Sequence, residues 1–152
     1  MYKNIFVALD GSPTSNLALQ EALKIAGVGS KITAVSVVEN PLQGYMVIYD
    51  YEKLHDELLE HCNNILDQAR ETAIKHGNIR LETHVIDINP NSSYDISLAI
   101  EKAANQYKAD LIVIGTHGRR GFRRFFFGSI AEQLIRQSQL PVLLVRNQSI
   151  AH

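Results

Sequence analysis

A chain of 152 residues fits one domain, expected here to span residues 1–152, and a domain of that size buries about 70% of the surface its unfolded form exposes. With 45% hydrophobic and 20% charged residues it is too apolar to stay disordered, and 15 basic against 16 acidic residues exclude a broad positive field for nucleic acid or anionic membrane. The one cysteine, Cys62, excludes an internal disulfide, and no run of about 18 apolar residues offers a membrane span. The chain opens on a strand-like run rather than a charged and then apolar leader, so a reducing cytoplasm is the expected location, with no membrane partner.

In chain order, Ile5-Phe6-Val7-Ala8-Leu9 is a continuous apolar run, the mark of a strand buried on both faces of a parallel sheet. It ends at Asp10-Gly11. Ser12 and Pro13 then supply an N-cap and a first-turn proline for a helix carrying Leu19, Ala22, Leu23 and Ala26, predicted to end near Gly27 or Gly29. Lys31 to Glu39 reads as a second strand, followed by an irregular stretch around Pro41 and Gly44. From about Tyr51, the residues Leu54, Leu58, Cys62, Ile65, Ala69 and Ala73 recur every three or four positions and predict a long helix with one apolar stripe, stopping at Gly77.

Leu81 to Ile88 is the third predicted strand, Ile96 to Tyr107 the third helix and Leu111 to Ile114 a short buried fourth strand. A glycine-rich segment, a helix near Ile130 to Gln137 and a strand from Val142 to Val145 complete the chain. Strands alternating with helices predict an α/β fold: an open, doubly wound, five-stranded parallel sheet with helices on both faces. Ligands of such sheets bind beyond the carboxyl ends of the strands, where the strand order reverses. With the order 3-2-1-4-5, the loops after the first and fourth strands meet at that point.

The second of those loops runs Gly115-Thr116-His117-Gly118-Arg119-Arg120-Gly121-Phe122-Arg123-Arg124-Phe125-Phe126-Phe127-Gly128-Ser129. Glycines let a ligand approach main-chain N–H groups, and a following helix start favours an anion. Ser129 and Glu132 have the spacing of a capping box. The plainer alternative is that Gly115 and Gly118 shape a turn while Ser129 only caps its helix. A P-loop and a G-x-G-x-x-G dinucleotide fingerprint are both absent from the sequence, as is a G-x-S-x-G elbow. The arginines and phenylalanines from 119 to 127 suggest a stacking platform for single-stranded nucleic acid, but no extended basic track accompanies them, and no nucleic-acid partner is expected. His55 and His61, six apart, fall on different helix faces and do not suggest a zinc site, while Cys62 reads as a small core residue on the apolar stripe.

Gly115-x-x-Gly118, nine residues, then Gly128-Ser129 resembles the ATP-binding signature of the universal stress protein family. The resemblance extends from the strand ending at Asp10 to Leu140-Pro141-Val142-Leu143-Leu144-Val145. It implies the fold of the adenine nucleotide α-hydrolases. It also implies ATP binding with Mg or Mn, in which Asp10 lies near the ribose and a phosphate-bound metal and the Val37 main chain faces adenine. Ala8, Leu9 and Ser12 would line the same mouth, and Gly115, Thr116, Gly118 and Arg119 would approach the ribose and phosphates. Gly128, Ser129 and Ile130 would hold the triphosphate. Asp10 has the alternative of capping the next helix, and His117 either reaches the nucleotide or faces water.

At Ile88, where the family commonly has glycine, and in a loop to Ile96 about two residues longer, the chain departs from the pattern, which predicts an altered adenine end. The expected function is a regulatory ATP-binding module of the stress response, a homodimer paired through the last strand, with a protein partner of unknown kind and no assigned catalytic residue. Two alternatives stand beside it. One is a slow ATPase or a phosphoryl- or adenylyl-transferring enzyme; the other is an interaction protein that binds no nucleotide.

Overall fold

The computed structural model describes residues 1–38, 51–77, 79–88, 95–117 and 128–147. Strand β1 (Asn4–Ala8) lies at the centre of the sheet between β2 (Lys31–Val38) and β4 (Leu111–Gly115). The outer strands are β3 (Arg80–Asp87), beside β2, and β5 (Val142–Val145), beside β4. Every pairing is parallel and the order is β3-β2-β1-β4-β5. The helices are α1 (Pro13–Ile25), α2 (Tyr51–His76), α3 (Ile96–Gln106) and α4 (Ser129–Gln137). Among the described residues no helix is long and apolar enough to cross a membrane.

Side chains of a strand alternate between faces, and the three inner strands divide their apolar residues accordingly. Ile5, Val7, Ile32, Ala34, Leu111 and Val113 pack under α1 and α2, with Leu19, Leu23, Ile65 and Leu66. Phe6, Ala8, Val35, Ile112 and Ile114 pack on the opposite face against α3 and α4, with Ile100, Ala104 and Leu134. Both faces of β1 are therefore covered, which is why its sequence shows an unbroken apolar run rather than alternation. Each fully buried aliphatic or aromatic side chain contributes about 1.5–3 kcal/mol through removal from water, so these two layers supply the main stabilisation.

Three element ends locate the functional region. At the start of α1, Ser12 is the N-cap and accepts from the Ser15 N–H at 3.2 Å. The helix ends at Ile25, with Ala26 as its extended C-cap directly before the expected Gly27, and Gly29 takes φ +82° in the turn into β2. Helix α2, at 26 residues about 39 Å long, exceeds the 8-residue β2 at about 26 Å, so its first turns overhang the carboxyl end of the sheet. Its buried residues accordingly begin only at Cys62.

The third end corrects a sequence expectation. Gly128, not Ser129, is the N-cap of α4, and Ser129 is its first helical residue. The capping box does not form: Glu132 Oε1 pairs instead with Arg136 at 2.7 Å, one turn further along. A glycine cap has no side chain with which to accept, so among the described residues no side-chain hydrogen bond closes this helix start.

Candidate nucleotide cleft

Strands β1 and β4 are adjacent, with Val7 opposite Val113, so their carboxyl ends deliver Leu9-Asp10 and Thr116-His117 to one place. That place is the switch point of the sheet. The Asp10 Oδ1 accepts the Ser12 N–H at 2.9 Å, which folds the β1–α1 turn, and Gly11 within it takes φ +82°. Asp10 thus shapes the turn while Ser12 caps the helix. Gly115 lies against the first turn of α1: a Cβ there would stand 2.8 Å from both the Thr14 carbonyl carbon and Oγ1.

The glycine-rich segment is anchored at both ends. The His117 carbonyl accepts from the Thr14 hydroxyl and, at 3.4 Å, from the Ser12 hydroxyl. The Thr116 N–H donates to Val145 O at 2.8 Å, and the Gly128 N–H donates to Thr116 O at 2.6 Å, closing a neck where the segment leaves and rejoins the fold. Thr116 is 2% exposed, so these bonds are sheltered from water. His117 Nδ1 is 2.9 Å from Thr116 Oγ1, while its Nε2 is buried with no hydrogen-bond partner among the described residues.

Above the neck opens a cleft of about 350 Å³. Of the residues predicted from sequence, Ala8, Leu9, Asp10, Ser12, Val37, Gly115, Thr116, His117, Gly128, Ser129 and Ile130 all line it. Gly118 and Arg119 lie outside the described residues, as do the other arginines and the phenylalanines of that segment and the loop from 89 to 94. The cleft also takes in Leu58, His61 and Cys62 from the overhanging turns of α2, and Ile96 and Ile100 from α3, none of which the sequence reading placed there. Cys62 is 3% exposed, as a core residue should be, and its Sγ donates to Val37 O at 3.5 Å. Among the described residues the cleft therefore combines an apolar group, suited to a flat ring, with a start of α4 that no side chain caps and one carboxylate, Asp10. Among the described residues no group of three His, Cys, Asp or Glu side chains could hold a metal ion.

On the α3 side, Asp95 caps its helix by accepting the Leu98 N–H at 2.7 Å. That bond, together with the Ser97 hydroxyl at 2.7 Å, outweighs desolvation and holds the Asp95 carboxyl below its ordinary range. A carboxyl depressed in the folded state stabilises the fold above its unfolded pKa of about 4, and this contribution disappears as pH falls through the lower folded value. Asp95→Asn retains a cap acceptor but cannot titrate. In urea unfolding at pH 7 and pH 3, the wild type is expected to lose more stability than the variant between the two; equal losses would contradict the assignment.

The universal stress protein family model matches residues 1–146 of the chain. A universal stress protein of Staphylococcus aureus strain USA300 is 29% identical over 150 residues, covering 98% of this chain and 87% of that protein. Among solved structures, the universal stress protein UspA from Lactobacillus plantarum superposes with a TM-score of 0.79 at 25% identity, covering 95% of this chain and 98% of that one. The universal stress protein from Archaeoglobus fulgidus in complex with dAMP superposes with a TM-score of 0.68 at 23% identity, covering 95% and 98%.

Proposed function

The chain belongs to the universal stress protein family, and on that premise we propose that its cleft binds an adenine nucleotide, ATP with Mg or Mn, and that the protein serves the stress response as a cytoplasmic regulatory module. The single observation that carries this reading is the start of α4. Among the described residues its first-turn amides have no side-chain cap, and Ser129 and Ile130 line the cleft, an arrangement that favours a phosphate through main-chain N–H groups and the helix dipole. Leu58, Cys62, Ile96 and Ile100 offer an apolar slot for the base. The dAMP held by the Archaeoglobus fulgidus relative supports an adenine ligand.

The donor set fits a magnesium or manganese ion carried by the ligand rather than held by the protein alone. Asp10 is the one carboxylate among the described residues lining the cleft, and Mg²⁺ typically takes one or two carboxylates with phosphate oxygens and waters. Bound there, the ion would neutralise phosphate charge beside Asp10. Pairing of β5 with a second copy of the chain belongs to the same reading, and its position at the edge of the sheet with Leu143 36% exposed supports it.

The test is to extract small molecules from freshly purified protein and titrate ATP, AMP and GTP by calorimetry with Mg²⁺ present. Saturable heat with ATP, weaker with AMP and GTP, is the expected outcome. Protein that carries no nucleotide and gives no heat with any of the three would overturn the reading.

A further inference from the structure

Behind the cleft, the bond from Ser97 to Asp95 is part of a larger cluster of polar side chains that joins α3 to α4. Ser97 is 0% exposed, yet its Oγ lies 2.7 Å from Asp95 Oδ1, 2.8 Å from Gln133 Oε1 and 3.1 Å from Gln137 Nε2. A hydroxyl has one proton to donate, and an ionised carboxylate can only accept. The proton therefore goes to Asp95, and Gln133 must turn its amide so that Nε2 rather than Oε1 meets Ser97, an exchange of two atoms of nearly equal size. Ser97 then donates once and accepts twice, and its hydrogen-bonding capacity is full.

The placement of this cluster matters more than its strength. Gln133 and Gln137 stand four apart on one side of α4, and Gln133 is one turn from Ser129 at the cleft. Ser97 sits between Ile96 and Ile100 in α3, both of which line the cleft. The hydroxyl thus fixes the spacing between the apolar wall on α3 and the uncapped turn of α4. Apart from this tie, α4 is held by its buried Ala131 and Leu134 and by the partly buried Ile130.

We propose that Asp95, Ser97, Gln133 and Gln137 form a positioning clasp that holds the first turn of α4 against α3 before ligand arrives, and so sets the preference of the cleft for phosphate-bearing over phosphate-free ligands. The ligand half of this statement rests on the nucleotide reading above. The mechanical half does not: a clasp that pre-orders α4 does so in the free protein.

The experiment compares wild type with Ser97→Ala, Gln133→Met and the double variant, titrating each with ATP and with adenosine, and following hydrogen exchange of the Glu132 amide, the first helical donor of α4 at 3.0 Å from Gly128 O. Loss of the hydroxyl, and with it the charge-linked bond to Asp95 and those from Gln133 and Gln137, should raise the Kd for ATP about five- to tenfold in Ser97→Ala, with that for adenosine changing less than about twofold. The double variant should be no weaker than Ser97→Ala, since both changes break one network. Glu132 exchange in the free protein should quicken about tenfold. A variant such as Ala73→Gly, remote on α2, controls for general loss of stability: its ratio of adenosine to ATP affinity should stay at the wild-type value.

An unchanged ratio in Ser97→Ala, equal losses for both ligands, or additive losses in the double variant would overturn the clasp while leaving nucleotide binding intact. Wild type that binds neither ligand would instead defeat the nucleotide reading, and Glu132 exchange then decides alone: unaltered exchange in Ser97→Ala ends the proposal. Should Ser97→Ala fail to fold, Gln137→Met, at the last residue of α4, carries the same two readouts.

Discussion

Gly115→Ala is expected to cost about 3 kcal/mol of stability, at the upper end for overpacking a tight contact, and to lower Tm by about 6–12 °C. The added Cβ would stand 2.8 Å from the Thr14 carbonyl carbon and 3.0 Å from the Ser15 N. These are main-chain atoms of the first turn of α1, and they cannot swing aside as a side-chain end can. The turn itself is held by Ser12, Thr14 and Ser15, all buried, and by the Thr14 hydroxyl on His117 O. To admit a methyl group, α1 must move off β4 and take the neck of the glycine-rich segment with it. Thermal and urea unfolding measure the effect, and a loss below about 1 kcal/mol would show that the helix yields without strain. The first glycine of the motif is then needed for packing whether or not a ligand is present.

Ser129→Glu should have the opposite profile, with a large loss of ligand affinity and none of stability. Position 129 is exposed at the first residue of α4, where a carboxylate interacts favourably with the helix dipole by about 0.3–1 kcal/mol. The fold should therefore be unharmed or slightly firmer. For an incoming phosphate the same carboxylate is a like charge at close range. At an effective dielectric of about 20 and a separation of about 4 Å the repulsion reaches about 4 kcal/mol, and screening by salt reduces it to roughly half. A rise of at least about 30-fold in the Kd for ATP follows, with a smaller rise for adenosine. Calorimetry and thermal melts on one preparation check both halves, and ATP affinity within about threefold of wild type would place the phosphates elsewhere.

Much of the architecture can be read from residue order alone. The unbroken run Ile5 to Leu9 announces a strand covered on both faces, and the stripe from Leu54 to Ala73 announces α2. Asp10 and the two ends of the glycine-rich segment meet at one site because parallel strands deliver their carboxyl ends to one side. What stayed hidden depends on distances between elements. Cys62 fits the core stripe, and nothing in its spacing tells that α2 outruns β2, although the lengths of the two runs were a usable signal for Leu58, His61 and Cys62. Ser129 has the residue type of a cap, but the chain enters the helix one position earlier, at Gly128. Glycine signals permissiveness without its reason: at Gly11 the reason is a left-handed turn, at Gly115 a helix pressed against the strand. The end of α1 was legible too, since Gly27 directly follows the C-cap Ala26.

The short bond from Gly128 to Thr116 makes the intervening stretch an exchangeable cassette. Because its two ends are fastened to each other and to β5 and α1, its length and composition can drift with little penalty to the scaffold, each doubling costing only about 0.6 kcal/mol of closure entropy. Insertions and substitutions between those two anchors can accumulate while β1, β4 and the helices beneath them remain the same.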